Sequence, residues 1–283
     1  MKNGLILEGG GLRSLFTAGI LDSWMQADIH FEGIIGVSGG ALFGCNFKSH
    51  QIGRALRYNI LLKDDPRYMG IRSLIKTGDI VGADFAYHVV PDEIDVFDDE
   101  AFRNDPAHFY VVATDIETGE PYYKELTTFD YEGLEWMRAT ASMPLVSHPV
   151  KLDGRLLLDG GMTDSLPLRK FQEMGYERNV VILTRPRGYR KEPSKIIPLF
   201  KIFCRKYPKI AETMARRHEA YNQQLDYLLD QEKAGNTLLI FPDEALNIGR
   251  IELKEPKMRH THSLGVEMGK RTISQIKDFI AHQ

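Results

Sequence analysis

Phe31-Glu32-Gly33-Ile34-Ile35-Gly36-Val37-Ser38-Gly39-Gly40 decides how the rest of the chain is read. An apolar run leads into a serine with small residues on both sides, the pattern of a short strand that turns sharply into a helix. A serine hydroxyl is a weak nucleophile until a strained backbone holds it outward beside a base and an anion site. Gly36 and Gly40 permit the tight turn, and the N–H of Gly39 opens the helix that follows. A G-x-S-x-G string is common, and its place between a strand and a helix gives it weight.

One unit upstream, residues 4–7 read as a buried strand, and Glu8-Gly9-Gly10-Gly11-Leu12-Arg13 separates it from a helical pattern over 12–25, with Leu15, Phe16, Ile20, Leu21 and Trp24 at helical spacing. Glycine amides at a helix N-terminus form an anion site. A dinucleotide loop fits poorly: G-x-G-x-x-G would need glycine where Ser14 stands, and the second strand runs into Val37-Ser38 instead of ending on a ribose-binding carboxylate. The remaining reading of the triple glycine is a plain tight turn.

Downstream, 41–62 carries one helical pattern, and strand, helix, strand, helix in sequence favours a parallel sheet covered by helices. Residues 64–107 read as loops and short helices, 108–114 as a buried strand, and 122–126 as its hairpin partner. A helix over 134–142 stops before Pro144. Asp153-Gly154 forms a hairpin turn between 150–152 and 155–158. Residues 180–184 and 237–241 read as strands, 210–233 as a long helix and 264–280 as a terminal one. Composition shifts near Arg185, where prolines punctuate a basic segment.

The chain has 283 residues, a formal net charge of −3 and two distant cysteines, Cys45 and Cys204, which give neither a disulfide framework nor metal-ligand spacing. No metal and no cofactor are expected. Glu8 interrupts the N-terminal apolar run too early for a signal-peptide core, and no apolar run approaches the roughly 20 residues of a membrane span. The expectation is a cytoplasmic protein, peripheral at most at the inner membrane surface. Charge is uneven: 185–217 holds about eleven basic side chains and two acidic ones, an asymmetry that suits an anionic partner or a solvated face. No nucleic-acid partner is expected.

Candidates for the base are His148, His260, His262 and Asp159. An α/β-hydrolase would place its histidine after the acid, as His260 could be, but that fold sets several strands before its nucleophile and only one precedes Ser38. His148, between Ser147 and Pro149, reads as structural. Asp159 ends an apolar strand in Leu158-Asp159-Gly160-Gly161, and a partly desolvated carboxylate there can take a serine proton directly.

Taken together, Glu8-Gly9-Gly10-Gly11-Leu12-Arg13, Gly36-Val37-Ser38-Gly39-Gly40, Asp159-Gly160-Gly161 and the intervening Ala139-Thr140-Ala141-Ser142-Met143-Pro144 resemble the patatin-like phospholipase family, over about residues 4–175. The resemblance implies a three-layer α/β/α sandwich around a mainly parallel sheet, with 4–175 as catalytic domain and 176–283 as a mostly helical extension. It implies a Ser38–Asp159 dyad without histidine, an oxyanion hole from the amides around Gly10 and Gly11, and Arg13 holding that loop. The substrate it implies is a phospholipid or other acyl ester. Ser14 departs from the family's usual glycine. A thioesterase or transacylase with the same dyad, and a non-catalytic lipid- or protein-binding module, are the alternatives. Within 195–209, Ile196, Ile197, Leu199, Phe200, Ile202, Phe203 and Tyr207 alternate with Lys195, Lys201, Arg205, Lys206 and Lys209. Such a stretch either rests on an anionic membrane or packs its apolar face on the main domain.

Overall fold

Leu5 and Leu7 point into one hydrophobic layer and Ile6 into the other. The same alternation recurs at Val180, Val181 and Ile182. A strand buried on both faces belongs in the middle of a sheet with helices above and below. The computed structural model shows that sheet and describes residues 2–281, apart from the side chains of Lys201 and Phe203, so the surface roles expected of those two lie outside the described residues.

The chain begins with β1 (Lys2–Leu7), a tight helical turn at Gly11–Ser14, and α1 (Leu15–Gln26). β2 (Gly33–Val37) leads into α2 (Gly39–Lys48), α3 (Arg54–Leu62), α4 (Ile71–Thr77), a wide helical segment at Phe85–Ile94, and α5 (Asp99–Asn104). β3 (His108–Asp115) and β4 (Pro121–Leu126) form a hairpin, followed by α6 (Tyr131–Ala141). β5 (Val150–Leu152) and β6 (Arg155–Asp159) turn at Asp153 and Gly154, with φ of 49° and 72°. Then come α7 (Leu168–Glu173), β7 (Tyr176–Ile182), α8 (Ile197–Phe203), α9 (Pro208–Lys233), β8 (Thr237–Ile240) and α10 (Glu255–Ala281).

The sheet order is β5-β6-β3-β2-β1-β7-β8, with β4 on β3. β3, β2, β1, β7 and β8 run parallel. β4, β5 and β6 are antiparallel additions. The C-terminal helices α8 to α10 form the helical extension, and β7 and β8 bring that part of the chain into the sheet. α10 lies along α1: Trp24 Nε1 donates to the Gly269 carbonyl and Thr272 Oγ1, each at 3.3 Å, and His262 bonds Asp22 at 2.8 Å.

Two elements differ from the sequence reading. The pattern over 41–62 is two helices, because His50 (φ 54°) and Gly53 (φ 74°) turn the chain between α2 and α3. The terminal helix starts at Glu255, its charged first turns hiding a start that the buried Met258 marks.

Register brings the site together. β3 pairs β2 through Val37↔Val112 and pairs β6 through Ala113↔Asp159. β4 occupies the other edge of β3 along this stretch. β2 and β6 therefore follow one another on a single edge, and their C-terminal ends meet: the residue after Val37 faces Asp159.

Candidate active site

Ser38 sits in the turn from β2 to α2 with φ 53° and ψ −127°, a conformation that costs a non-glycine residue about 1–3 kcal/mol and needs its surroundings to impose it. Thr140, fully buried on α6, imposes it: its Oγ1 accepts the Ser38 N–H at 3.1 Å and donates to the Val112 carbonyl. On the other side the Ser38 carbonyl accepts from Ala41 and Leu42 N–H at 2.9 and 3.0 Å, tying the turn to the first turn of α2. Removing the Thr140 hydroxyl would leave two buried backbone groups unpaired, at about 1–3 kcal/mol each.

The Ser38 hydroxyl faces the Asp159 carboxylate and steadies its charge. Asp159 is 7% exposed, and burial is the largest influence on it, raising its pKa above the usual carboxylate range. The Ser38 hydroxyl, the Gly161 N–H (2.7 Å to Oδ1), Arg217 and Arg250 act against burial in that order. Gly160 and Gly161 continue from Asp159 into a tight helical turn, and Arg217 of α9 and Ser165 both donate to the Gly161 carbonyl.

The glycine loop lies against this pair. A Cβ on Gly9 would stand 2.9 Å from Ser38 Cβ, so only glycine lets the loop reach the serine. Gly11 has φ +58° and is covered by Arg250, whose carbonyl accepts the Leu12 N–H at 3.0 Å. Among the described residues, the N–H groups of Gly10, Gly11 and Gly39 have no acceptor within the chain. Free amides in such a place, two of them at helix starts, can donate to an anion. Gly36 and Gly40 pack the elbow against Ala41 and against the end of β1.

Glu8 anchors the loop from below. Its Oε2 accepts from Thr184 N–H and Oγ1 at 2.6 and 3.0 Å, and its Oε1 accepts from Tyr221 at 2.7 Å. Arg13 touches the loop through its own N–H, which donates to Gly10 at 3.3 Å, while its buried Nε has no partner. Ser14 has φ −68° and ψ −2°, ordinary helical values, so the loop does not require glycine there.

The histidines lie elsewhere. His148 is held by Asp79, which accepts its backbone N–H at 2.6 Å and sits 3.2 Å from its ring. His262 serves the α1–α10 contact, and His260 is exposed. Among the described residues no histidine lines the cavities that open on Ser38.

Two cavities meet at Ser38. One is apolar, with Leu42, Phe43, Val81, Leu134 and Met137 in its wall. Cys45 also lines it, and burial pushes that thiol up to about 12, which keeps it protonated and unreactive. The other, more polar, has charged groups beside Met143, Leu145 and Met214 in its wall and opens at the C-terminal ends of β1, β2 and β7, between Glu8, Asp159 and Arg185. Open α/β sheets bind ligands in the crevice at the strand ends where connections diverge to either side. Sequence reading missed the residues that later elements deliver to this second wall, Lys191, Arg217, Tyr221 and Arg250 among them. The basic bias of 185–217 was the one available signal.

A family model described as patatin-like phospholipase matches residues 5–171, and a second, a domain of unknown function (DUF6363), matches residues 207–281. The chain is 23% identical over 277 residues to the uncharacterized protein YjjU of Escherichia coli, covering 96% of this chain and 77% of the relative. It is 28% identical over 164 residues to the NTE family protein Mb1092c of Mycobacterium bovis, covering 58% of this chain and 44% of that protein. It is 25% identical over 252 residues to lysophospholipase nte1 of Aspergillus oryzae, covering 83% of this chain but 15% of that much longer protein.

Proposed function

We propose that this chain, which belongs to the patatin-like phospholipase family and is a hydrolase of that type, cleaves fatty acyl esters of lipids with Ser38 as nucleophile and Asp159 as proton acceptor. The observation that carries this reading is a serine in a strained turn, facing a buried carboxylate and three free amides at the mouth of an apolar cavity.

The cycle follows from the groups present. Asp159 takes the Ser38 proton as the Ser38 oxygen attacks the acyl carbonyl carbon. The carbonyl electrons move to oxygen, where the Gly10, Gly11 and Gly39 N–H groups receive the charge, each well-aimed donor contributing about 2.7–4 kcal/mol. The ester C–O bond breaks and the alcohol leaves with the proton from Asp159. Water then gives a proton to Asp159 and attacks the acyl-enzyme, and the fatty acid departs as Ser38 recovers its proton.

The apolar cavity makes the acyl chain the recognised part. Initial rates on acyl esters of rising chain length test this: kcat/KM is expected to rise by about threefold per added methylene while the cavity fills. A profile flat from short to long chains would set the lipid assignment aside.

Access to lipid falls to the segment 195–209. Phe200 is fully buried with Ile210 and Met214, so one side of α8 packs on α9. Ile196, Leu199 and Ile202 point outward, 48%, 50% and 72% exposed, beside the exposed Lys195, Arg205, Lys206 and Lys209. Ile196 also lines the polar cavity, which sets this surface at the rim of the site. We infer a resting surface for an anionic membrane. Ile202→Glu is expected to lower co-sedimentation with anionic vesicles several-fold, and unchanged sedimentation would remove the membrane role. Among the described residues no helix is long and apolar enough to cross a membrane.

A further inference from the structure

The wall of the polar cavity gathers the cations Arg13, Arg185, Lys191, Arg217 and Arg250 against the carboxylates of Glu8, Asp159 and Glu192. Those carboxylates, three against five cations, offset them only in part: Glu8 acts at a distance on Arg13, Lys191 and Arg217, and Asp159 on Arg217. Glu8 is occupied by Thr184 and Tyr221, Asp159 by Gly161 and the serine, and Glu192 is exposed. Among the described residues none of these cations forms an ion pair, whereas Arg187 and Arg190 close by pair with Glu232 and Asp226.

Several are instead positioned without spending their donors. The Arg185 guanidinium lies 4.8 Å from the ring centre of Tyr189 and the Lys191 ammonium 4.1 Å from that of Tyr221, and the two rings meet edge to face. Asn222 holds the Lys191 backbone through two hydrogen bonds of 2.9 and 3.0 Å. Arg217 engages the Gly161 carbonyl through Nε, which leaves its terminal nitrogens. Arg13 is 8% exposed, and its Nε is buried with no partner. Burial, then Arg217, brings the Lys191 ammonium down to about 7, and burial, then Arg185 and Arg250, brings Arg13 down to about 10. Like charges crowded in a part-buried cavity destabilise a fold until an anion joins them.

We propose that this cavity holds the phosphate monoester of the substrate, so that the chain prefers an acyl ester of a phosphorylated small alcohol over neutral and zwitterionic acyl esters. The proposal rests on the hydrolase reading for the acyl half of the substrate and on the cation cluster for the other half. Guanidinium forks suit a phosphate dianion, which can take several charge-assisted donors at once. A quaternary ammonium headgroup fits poorly, because Arg185 and Lys191 already stand over Tyr189 and Tyr221. All of these cations but Arg13 lie beyond residue 171, where the patatin-like match ends. Arg217 and Arg250 lie in the region matched by the domain of unknown function, which thereby takes part in recognising the headgroup.

The test compares one acyl chain on glycerol, on glycerol phosphate and on glycerophosphocholine. Wild type is expected to favour the glycerol phosphate ester in kcat/KM by roughly 10- to 100-fold, and Arg185→Gln or Lys191→Gln, checked for unchanged thermal midpoint, to reduce that ratio about tenfold. Turnover of all three esters without preference overturns the proposal and leaves the hydrolase standing. Calorimetry on Ser38→Ala with glycerol phosphate and with inorganic phosphate makes the pocket testable without turnover. Binding of glycerol phosphate that Arg185→Gln weakens supports the pocket even if wild type cleaves no ester, in which case only the hydrolase falls. Equal binding of inorganic phosphate overturns the substrate assignment in favour of a free-phosphate site, and binding of neither overturns the pocket.

Discussion

Ser38→Ala is expected to abolish labelling by a fluorophosphonate probe and to lower acyl-ester hydrolysis by a factor of roughly 10³ or more. The size follows from what the serine alone supplies. Other cavity-lining candidates among the described residues are engaged or unreactive: the Ser165 hydroxyl donates to the Gly161 carbonyl, Ser194 is exposed and accepts the Ile196 N–H, and burial holds Cys45 protonated. The oxyanion amides survive the substitution, so a small residual rate through direct attack by water remains. The elbow also loses little by the change, because alanine carries the same Cβ as serine at φ 53° and the Thr140 bond to the backbone N–H at 38 is kept. The variant therefore folds, and the loss reads as chemistry. Undiminished labelling of Ser38→Ala would move the nucleophile elsewhere.

Asp159→Asn is expected to lower kcat by about 10²–10⁴-fold, the range for loss of a general base, while raising the thermal midpoint at neutral pH. The two effects have one cause. Burial holds the Asp159 pKa above its unfolded value, so the proton is bound more tightly in the folded state. The stabilisation this gives is complete below the unfolded pKa and is lost as pH rises through the folded one. At neutral pH the native protein carries a buried charge that asparagine removes. As a base, Asp159 must be ionised, so wild-type kcat/KM is expected to fall as pH drops through that raised pKa, and the melting temperature of Asp159→Asn to gain most over wild type above it. A fully active Asp159→Asn, or a variant no more stable than wild type at neutral pH, would contradict this assignment. A failing His260 or His262 variant beside it would put a triad in place of the dyad.

The turn at the end of β2 was legible because local chain geometry demands particular residues there. The glycine loop must come within Cβ reach of Ser38, and no other side chain allows it. Asp159 was legible only jointly with those motifs, since its meeting with Ser38 depends on β2 and β6 sharing one edge of β3, a register that no local pattern encodes. Thr140 was visible as a member of a motif, but its grip on the serine backbone is a contact between residues 102 positions apart. The basic stretch 185–217 signalled an anionic partner and was read as a surface. Arg185, Lys191 and Arg217 turn inward onto the cavity, while Arg187 and Arg190 do spend themselves on exposed ion pairs. Arg250 comes from a loop with no periodicity to mark it. The break between α2 and α3 escaped because apolar spacing continues through a turn that His50 and Gly53 make without proline.

Ser38 stands where an apolar and a more polar cavity open on one another, and on the proposed acyl-ester reaction this would set the order in which products leave. In that reaction the alcohol half would depart through the more polar side when the ester bond breaks, and the acyl half would stay with its chain in the apolar one. The next acceptor then enters the space just vacated, without passing the bound chain. Hydrolysis and acyl transfer would then be two fates of the proposed acyl-enzyme, decided by whether water or another alcohol occupies the emptied side first.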